Sequence, residues 1–215
     1  KNILVMAPSL ALMRQTLKEW SEQSNEKFSY LCLCSDVSVE GTDSIIENTY
    51  EMDVRVSTDI DEVSKFLNRK TNTKKVLFST YQSSKVLSDA TLKTKTRFDI
   101  GIFDEAHRTT GTKTGVWNIA VDDKKVPIKK RLFMTATPRI YAPHIKQKAE
   151  ENDIILHSMD DSKTYGETFY EMTFGNAIKK NLITDYHIIV VGCSDPEVKE
   201  FIDKNNIIVD ANDKE

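Results

Sequence analysis

The sequence contains little glycine and little cysteine, and these shortages narrow the classes of protein to which it can belong. There are 7 glycines among 215 residues, and no pair of them fits G-x-G-x-x-G or G-x-x-x-x-G-K-[ST]. The residues given therefore hold neither a complete dinucleotide fingerprint nor a phosphate-binding P-loop. The 3 cysteines are an odd, small number for this length, which argues against a secreted disulfide scaffold.

Zinc-ligand spacing and membrane-spanning runs are lacking as well. The 4 histidines are scattered along the chain. The apolar stretch at residues 3–13 is interrupted by Pro8 and Ser9, and it is far too short to cross a bilayer. No small-residue cleavage site of a signal peptide follows it. We expect a protein without a membrane segment, located in the cytoplasm.

Charge and hydrophobicity are those of an ordinary folded domain. The chain has 30 Lys and Arg against 33 Asp and Glu, a net charge of −3, and 39% hydrophobic residues. A chain of this length can bury a sufficient core without disulfides or metals. The net acidity argues against a basic nucleic-acid-binding arm, but it is compatible with a groove of local positive charge.

Short apolar runs alternate with helical stretches over the first 140 residues. Strands are predicted at residues 3–7, 28–34, 75–80, 98–103 and 131–134, and helices after Ser9 and over 59–68. This alternation predicts β-α-β units and an α/β fold, with a mainly parallel sheet flanked by helices. Further along, helices are predicted at 144–151, 174–182 and 195–205, and a strand at 186–191.

The strongest local signal is the string Asp104-Glu105-Ala106-His107, which follows a predicted strand. Ligands of open α/β sheets bind beyond the carboxyl ends of the strands. Two adjacent carboxylates at such an end indicate a Mg²⁺ site, in which one carboxylate holds the metal and the next orients a water nucleophile. For the Asp-Glu pair alone, a capping Asp followed by a solvated Glu is the more common explanation.

Three other predicted strands end in short hydroxyl side chains. The strings are Pro8-Ser9, Thr80-Tyr81 and Thr135-Ala136-Thr137. Two hydroxyls that flank a small residue can link a phosphate site to a neighbouring surface by hydrogen bonds. Hydroxyls and free backbone N–H groups can also hold nucleic-acid phosphates without reading the base sequence. Each string taken alone is more often a helix cap or a turn.

In chain order, the four strings resemble motifs Ia, Ib, II and III of superfamily 2 helicases of the DEAH-box type, over roughly residues 1–140. Three longer strings are similar to the helicase portion of bacterial restriction-modification proteins of the type I and type ISP kind, and of mobile-element proteins. They are residues 104–111, 134–141 and 173–186. The resemblance implies a RecA-like fold of the P-loop NTPase type. Residues 1–172 would form the first RecA-like domain without its first strand and P-loop, and residues 173–215 a connecting helix and the start of the second domain.

The resemblance also implies residue roles. Asp104 would coordinate Mg²⁺ through water, and Glu105 would polarise the water that attacks the γ-phosphate of ATP. His107 would couple this nucleotide site to Thr135 and Thr137.

The implied partner is DNA, double-stranded or single-stranded and held by its backbone. The residues along its track would be Pro8, Ser9, Thr80 and Tyr81. Restriction-modification subunits or domains are further expected partners.

The sequence thus predicts a fragment of an ATP-dependent DNA helicase or translocase. We expect the intact protein to be an enzyme and the fragment alone to be inactive, because a P-loop before Ile3 and the arginine finger of the second domain are not among its residues. One alternative is a non-enzymatic α/β domain that binds nucleic acid or protein. Another is an RNA helicase, since motifs of this class hold either nucleic acid by its backbone.

Overall fold

The computed structural model describes residues 1–34, 56–112, 115–152 and 154–185. The chain divides into two compact units, Lys1–Glu167 and Thr168–Glu215. The domain limits inferred from the sequence, 1–172 and 173–215, stay a prediction. The strand expected at 186–191 and the helix expected at 195–205 lie outside the described residues.

Parallel strands form the central sheet of the first unit. The strands of this sheet are β1 (Asn2–Ala7), β2 (Phe28–Leu33), β3 (Val56–Ser57), β4 (Lys74–Thr80), β5 (Ile100–Phe103) and β7 (Arg131–Phe133). Two further strands, β6 (Gly111–Thr112) and β8 (Leu156–His157), pair with each other in a separate antiparallel ladder. In the sheet the order is β3-β2-β4-β1-β5-β7. All five neighbouring pairs are parallel, as the alternation of strands and helices predicted.

The helices expected after Ser9 and over 59–68, 144–151 and 174–182 lie close to those positions, although the last one ends at Lys179. The helix bounds are Leu10–Gln23 (α1), Ile60–Asn68 (α2), Ser84–Thr94 (α3), Pro143–Glu151 (α4), Ser162–Tyr165 (α5) and Phe174–Lys179 (α6), with 3-10 turns at Tyr81–Ser83, Ala106–Thr109 and Val116–Val121. The side chains of Ser9, Asp59 and Thr173 accept the capping hydrogen bonds of α1, α2 and α6. Among the described residues, no helix combines the length and apolarity needed to cross a membrane.

Strand β1 is buried on both faces of the sheet because its side chains alternate between two apolar layers. Leu4 and Met6 belong to a cluster that includes residues of α2 and α3. Val5 and Ala7 belong to a second cluster, which includes residues of α1. A strand covered on both faces reads as a continuous apolar run, and this is how residues 3–7 read in the sequence.

The four strings singled out in the sequence meet at one edge of this sheet. Strands β4, β1, β5 and β7 are consecutive neighbours and run in the same direction. Ala7 is paired with Thr80, and Phe103 with Phe133, so the strands end at nearly the same level. At about 4.8 Å between neighbouring strands, the four strand ends span about 14 Å.

Candidate functional site

The acidic pair begins where β5 leaves the sheet. The N–H of Asp104 donates to the carbonyl oxygen of Met6 at 2.9 Å, which extends the ladder with β1 by one residue. Phe103, the last residue of β5, is buried and its ring centroid lies 4.9 Å from that of Phe133. Glu105 then turns the chain with φ 48° and ψ 48°, in the left-handed region. Asp104 is therefore fixed by the sheet, and Glu105 is aimed by a turn.

Both peptide groups that flank Glu105 are hydrogen-bonded. Its own N–H donates to Oδ1 of Asp104 at 3.0 Å, and the hydroxyl of Tyr81 donates to the carbonyl oxygen of Asp104 at 2.6 Å. On the other side, the N–H of Ala106 donates to the carbonyl oxygen of Met134 at 2.9 Å. The left-handed conformation is unfavourable for a residue with a Cβ. These hydrogen bonds therefore stabilise a backbone conformation that glutamate would otherwise avoid.

His107 joins the acidic pair to the end of β7. Its Nδ1 lies 3.2 Å from Oε2 of Glu105, 3.0 Å from Oγ1 of Thr135 and 3.3 Å from Oγ1 of Thr137. The N–H of Thr137 donates to Oγ1 of Thr135 at 3.1 Å, which leaves the Thr135 hydroxyl hydrogen available for His107. The structure thus brings together the histidine, the glutamate and both threonines that the sequence singled out.

The carboxylate of Asp104 is half-buried. Burial raises the pKa of this carboxyl, the Glu105 carboxylate raises it further, and the N–H of Glu105 opposes both effects. Within the described part of the chain, no Lys or Arg forms an ion pair with Asp104. A bound cation would relieve this unfavourable burial.

The carboxylates at this edge do not form a metal site enclosed by protein ligands in the part of the chain that the structure describes. No group of three or more His, Cys, Asp or Glu side chains converges as a metal site in the ranges that the structure describes. Mg²⁺ keeps several waters and is commonly bound through one or two carboxylates and substrate phosphates. Asp104 can supply such a carboxylate, and the partly exposed Glu105 side chain leaves room for water beside it.

The predicted nucleic-acid residues lie at the same edge, but most of their side chains are buried. Pro8, Thr80 and Tyr81 are buried, whereas Ser9 is exposed. The hydroxyl of Ser9 accepts from the N–H of Leu12 at 3.3 Å, which caps α1, and that of Thr80 is hydrogen-bonded within its own turn. Nucleic-acid contact by these four residues stays a prediction.

Two further contacts near the site were not found from the sequence. The guanidinium of Arg108 lies over the Trp117 ring at 5.6 Å, and that ring lies 5.8 Å from the ring of Tyr81. The hydroxyl of Tyr165 lies 3.0 Å from Oγ1 of Thr109, 56 residues away in the chain. Neither Trp117 nor Tyr165 follows a strand of the main sheet, so the strand-end pattern gave no signal for them.

Comparison with known proteins places the chain in a family. The family model described as "Type III restriction enzyme, res subunit" matches residues 1–140. One similar solved structure is a nuclease-deletion mutant of the type ISP restriction-modification enzyme LlaGI in complex with a DNA substrate mimic. Its sequence is 31% identical to this chain, and the match has a TM-score of 0.65 and covers 86% of this chain and 14% of that chain. The ATP-dependent type ISP enzyme LlaBIII, bound to DNA, is also 31% identical, with a TM-score of 0.62 over 86% of this chain and 12% of that one.

The chain therefore spans about a seventh of the length of these two enzymes or less. No curated protein sequence matches it. The structural likeness confirms the RecA-like fold that the four strings implied, with a parallel sheet flanked by helices. From its match over residues 1–140, the chain belongs to the family of the type III restriction enzyme res subunit.

Proposed function

We propose that the chain is part of an ATP-dependent DNA helicase or translocase that serves a restriction-modification system. The observation that carries the proposal is the position of His107 Nδ1, within 3.3 Å of Glu105, Thr135 and Thr137. This nitrogen connects a carboxylate suited to activate water with the end of the neighbouring strand. A change at one of the two strand ends therefore has a direct route to the other.

The acidic pair supports phosphoryl transfer from ATP to water. Asp104 would hold Mg²⁺, which when bound neutralises charge on the terminal phosphates of ATP. Glu105 would accept a hydrogen bond from the attacking water and so orient it. Positioning and electrostatics supply most of the rate in this reaction class, so the fixed backbone around Glu105 suits the role.

DNA is the nucleic acid that the comparisons favour, because both related enzymes were solved with DNA or a DNA mimic. Their restriction-modification context also favours further domains or subunits of such a system as partners. The P-loop implied by the resemblance is not among the 215 residues. We therefore assign ATP hydrolysis to the intact protein and expect essentially none from these residues alone.

The test is ATP turnover by the intact protein, with and without double-stranded DNA, beside Glu105→Gln. We expect DNA to stimulate turnover and the variant to lose at least about 100-fold, the usual contribution of a general base. Glu150→Gln, at an exposed position of α4, is the matched control and should leave turnover unchanged.

Four results would contradict the proposal in different ways. Undiminished turnover of Glu105→Gln would remove this residue from its role. No turnover under any condition would favour a non-enzymatic binding domain, and stimulation by RNA but not DNA would favour an RNA helicase. DNA-stimulated turnover by the 215 residues alone would contradict the expected inactivity of the fragment.

A further inference from the structure

The side chain of Tyr81 lies inside the protein and contacts the backbone of the acidic pair. Its side chain is 0% exposed, and its hydroxyl donates to the backbone carbonyl oxygen of Asp104 at 2.6 Å. Tyr81 directly follows β4 and Asp104 directly follows β5, and β1 lies between these two strands. The hydrogen bond therefore reaches across the central strand to the acidic pair.

The carbonyl that Tyr81 holds belongs to the peptide that connects Asp104 with Glu105. The N–H of the same peptide donates to Oδ1 of Asp104, so both polar atoms of this peptide are fixed. Glu105 follows with φ 48°. Rotation of this peptide would change φ of Glu105 and move its carboxylate away from His107 Nδ1.

Aromatic packing holds the ring of Tyr81 in place. The ring of Trp117 lies 5.8 Å from it, and the guanidinium of Arg108 lies over the Trp117 ring at 5.6 Å. Burial is the main cause that raises the pKa of the Tyr81 phenol well above its usual value, so the hydroxyl remains a donor. The packing of its ring thus holds the donor against the acidic pair.

We propose that Tyr81 is a positioning residue, whose hydroxyl holds the peptide between Asp104 and Glu105 and so keeps the Glu105 carboxylate aimed at its site. Its effect on ATP turnover rests on the function proposed above, whereas its effect on the backbone of Glu105 does not. Tyr81 also opens the 3-10 turn Tyr81–Ser83 at this edge. A displacement of that turn therefore reaches the acidic pair through one hydrogen bond.

The first test uses the 215-residue chain and compares Tyr81→Phe with Tyr165→Phe. Both variants remove one phenol hydroxyl from a hydrogen bond near the site, but Tyr165 bonds to Thr109 instead of the acidic pair. The NMR coupling between the amide and Hα protons of Glu105 reports its φ, and amide exchange of Glu105 reports how often the turn opens. Tyr81→Phe should change this coupling and accelerate exchange about fivefold, and Tyr165→Phe should change neither.

The second test uses the intact protein and separates positioning from substrate binding. Tyr81→Phe should lower kcat for ATP about fivefold and leave KM for ATP unchanged, because a misaimed base affects the reaction step and not ground-state binding. Tyr165→Phe should leave both constants unchanged. A backbone effect on Glu105 without any ATP turnover in the wild-type protein would refute the proposed function and not the role of Tyr81.

A third variant covers the case in which Tyr81→Phe does not fold. Incorporation of 3-fluorotyrosine at position 81 keeps the ring and the hydroxyl, and makes the hydroxyl a stronger donor. It should slow amide exchange of Glu105 relative to other amides of the same chain. The proposal is overturned if the coupling and exchange of Glu105 are the same in wild type and Tyr81→Phe, if Tyr165→Phe changes them equally, or if fluorination leaves them unaltered.

Discussion

The Nδ1 atom of His107 lies 3.0 Å from Oγ1 of Thr135, although the two residues are 28 positions apart in the chain. The same nitrogen lies 3.2 Å from Oε2 of Glu105. A neutral imidazole nitrogen is either a donor or an acceptor. His107 Nδ1 can therefore donate to the Glu105 carboxylate or accept from the Thr135 hydroxyl, but it cannot do both at once. The tautomer of His107 therefore decides which of the two partners Nδ1 bonds.

Removal of the Thr135 hydroxyl should lower DNA-stimulated ATP turnover more than ATP turnover without DNA. In the intact protein, Thr135→Val keeps the shape of the side chain and removes its hydrogen bonds with His107 and with the N–H of Thr137. We expect DNA-stimulated turnover to fall at least about fivefold, as the loss of the bond to His107 predicts, and turnover without DNA to change much less. Thr94→Val is the matched control, because its hydroxyl bonds to a carbonyl within α3, away from the site. An equal fall in both activities would contradict the coupling role.

Asp104→Asn should stabilise the fold at neutral pH and have no such effect in strong acid. Burial raises the pKa of this carboxyl above 3.8, so the folded state binds a proton more tightly than the unfolded state does. Ionisation of Asp104 therefore lowers the free energy of unfolding as the pH rises from the ordinary pKa of the carboxyl through its raised pKa in the folded state. The variant should gain less than about 1 kcal/mol in free energy of unfolding at pH 7, because the carboxyl is only half-buried.

Denaturant unfolding of both proteins between pH 3 and pH 7 measures this difference. The gain of Asp104→Asn should appear as the pH rises and should be absent below the ordinary pKa of the carboxyl. Asp89→Asn, at an exposed position of α3, provides the comparison for a simple charge change. A gain that is the same at every pH would show that Asn packs better and that charge burial is not the cause.

Glu105→Gly should stabilise the fold and abolish ATP turnover. Glu105 has φ 48°, and glycine adopts left-handed backbone without the cost of a Cβ. We expect Glu105→Gly to raise the free energy of unfolding by about 1 kcal/mol relative to Glu105→Ala. Lys95, with φ 52° at the end of α3, is the control, because Lys95→Gly should give a similar gain without affecting turnover. A loss of stability in Glu105→Gly would contradict backbone strain at this position.

Gly101 should not tolerate a larger residue, because β5 packs closely against Ile128. A Cβ at position 101 would lie 2.9 Å from Cδ1 and 3.2 Å from Cγ2 of Ile128, and 3.1 Å from the ring of Phe103. Gly101→Ala should therefore cost about 1–3 kcal/mol, the usual range for overpacking a core. Thermal unfolding would show the loss, and Ile128→Val should recover part of it by removing Cδ1. If the effects of Gly101→Ala and Ile128→Val on stability simply add in the double variant, the clash lies elsewhere.

The strand ends were predictable because apolar runs and the residues after them are local features. Asp104 and Thr135 each follow a run of consecutive apolar residues, and parallel strands place their carboxyl ends on one edge. The order of the strands is not local. It depends on which apolar faces pack together, so the sequence could not show that the ends of β5 and β7 are neighbours.

The hydrogen bond between Tyr81 and the acidic pair could not be predicted for the same reason. As part of a string, Thr80-Tyr81 reads as two polar groups at the end of a strand. The fold buries both side chains and gives the phenol a partner 23 residues away. Whether a hydroxyl at a strand end faces solvent or a neighbouring backbone is decided by the packing around it, here by Trp117.

Strand β1 contributes no reactive group to this edge, and yet it sets the distance between the groups that do. Its backbone pairs with β4 on one side and β5 on the other, and the carbonyl of Met6 receives the N–H of Asp104. Main-chain bonds of this kind do not depend on side-chain identity. Substitution of the apolar side chains of β1 by others of similar volume should therefore leave the position of the acidic pair unchanged.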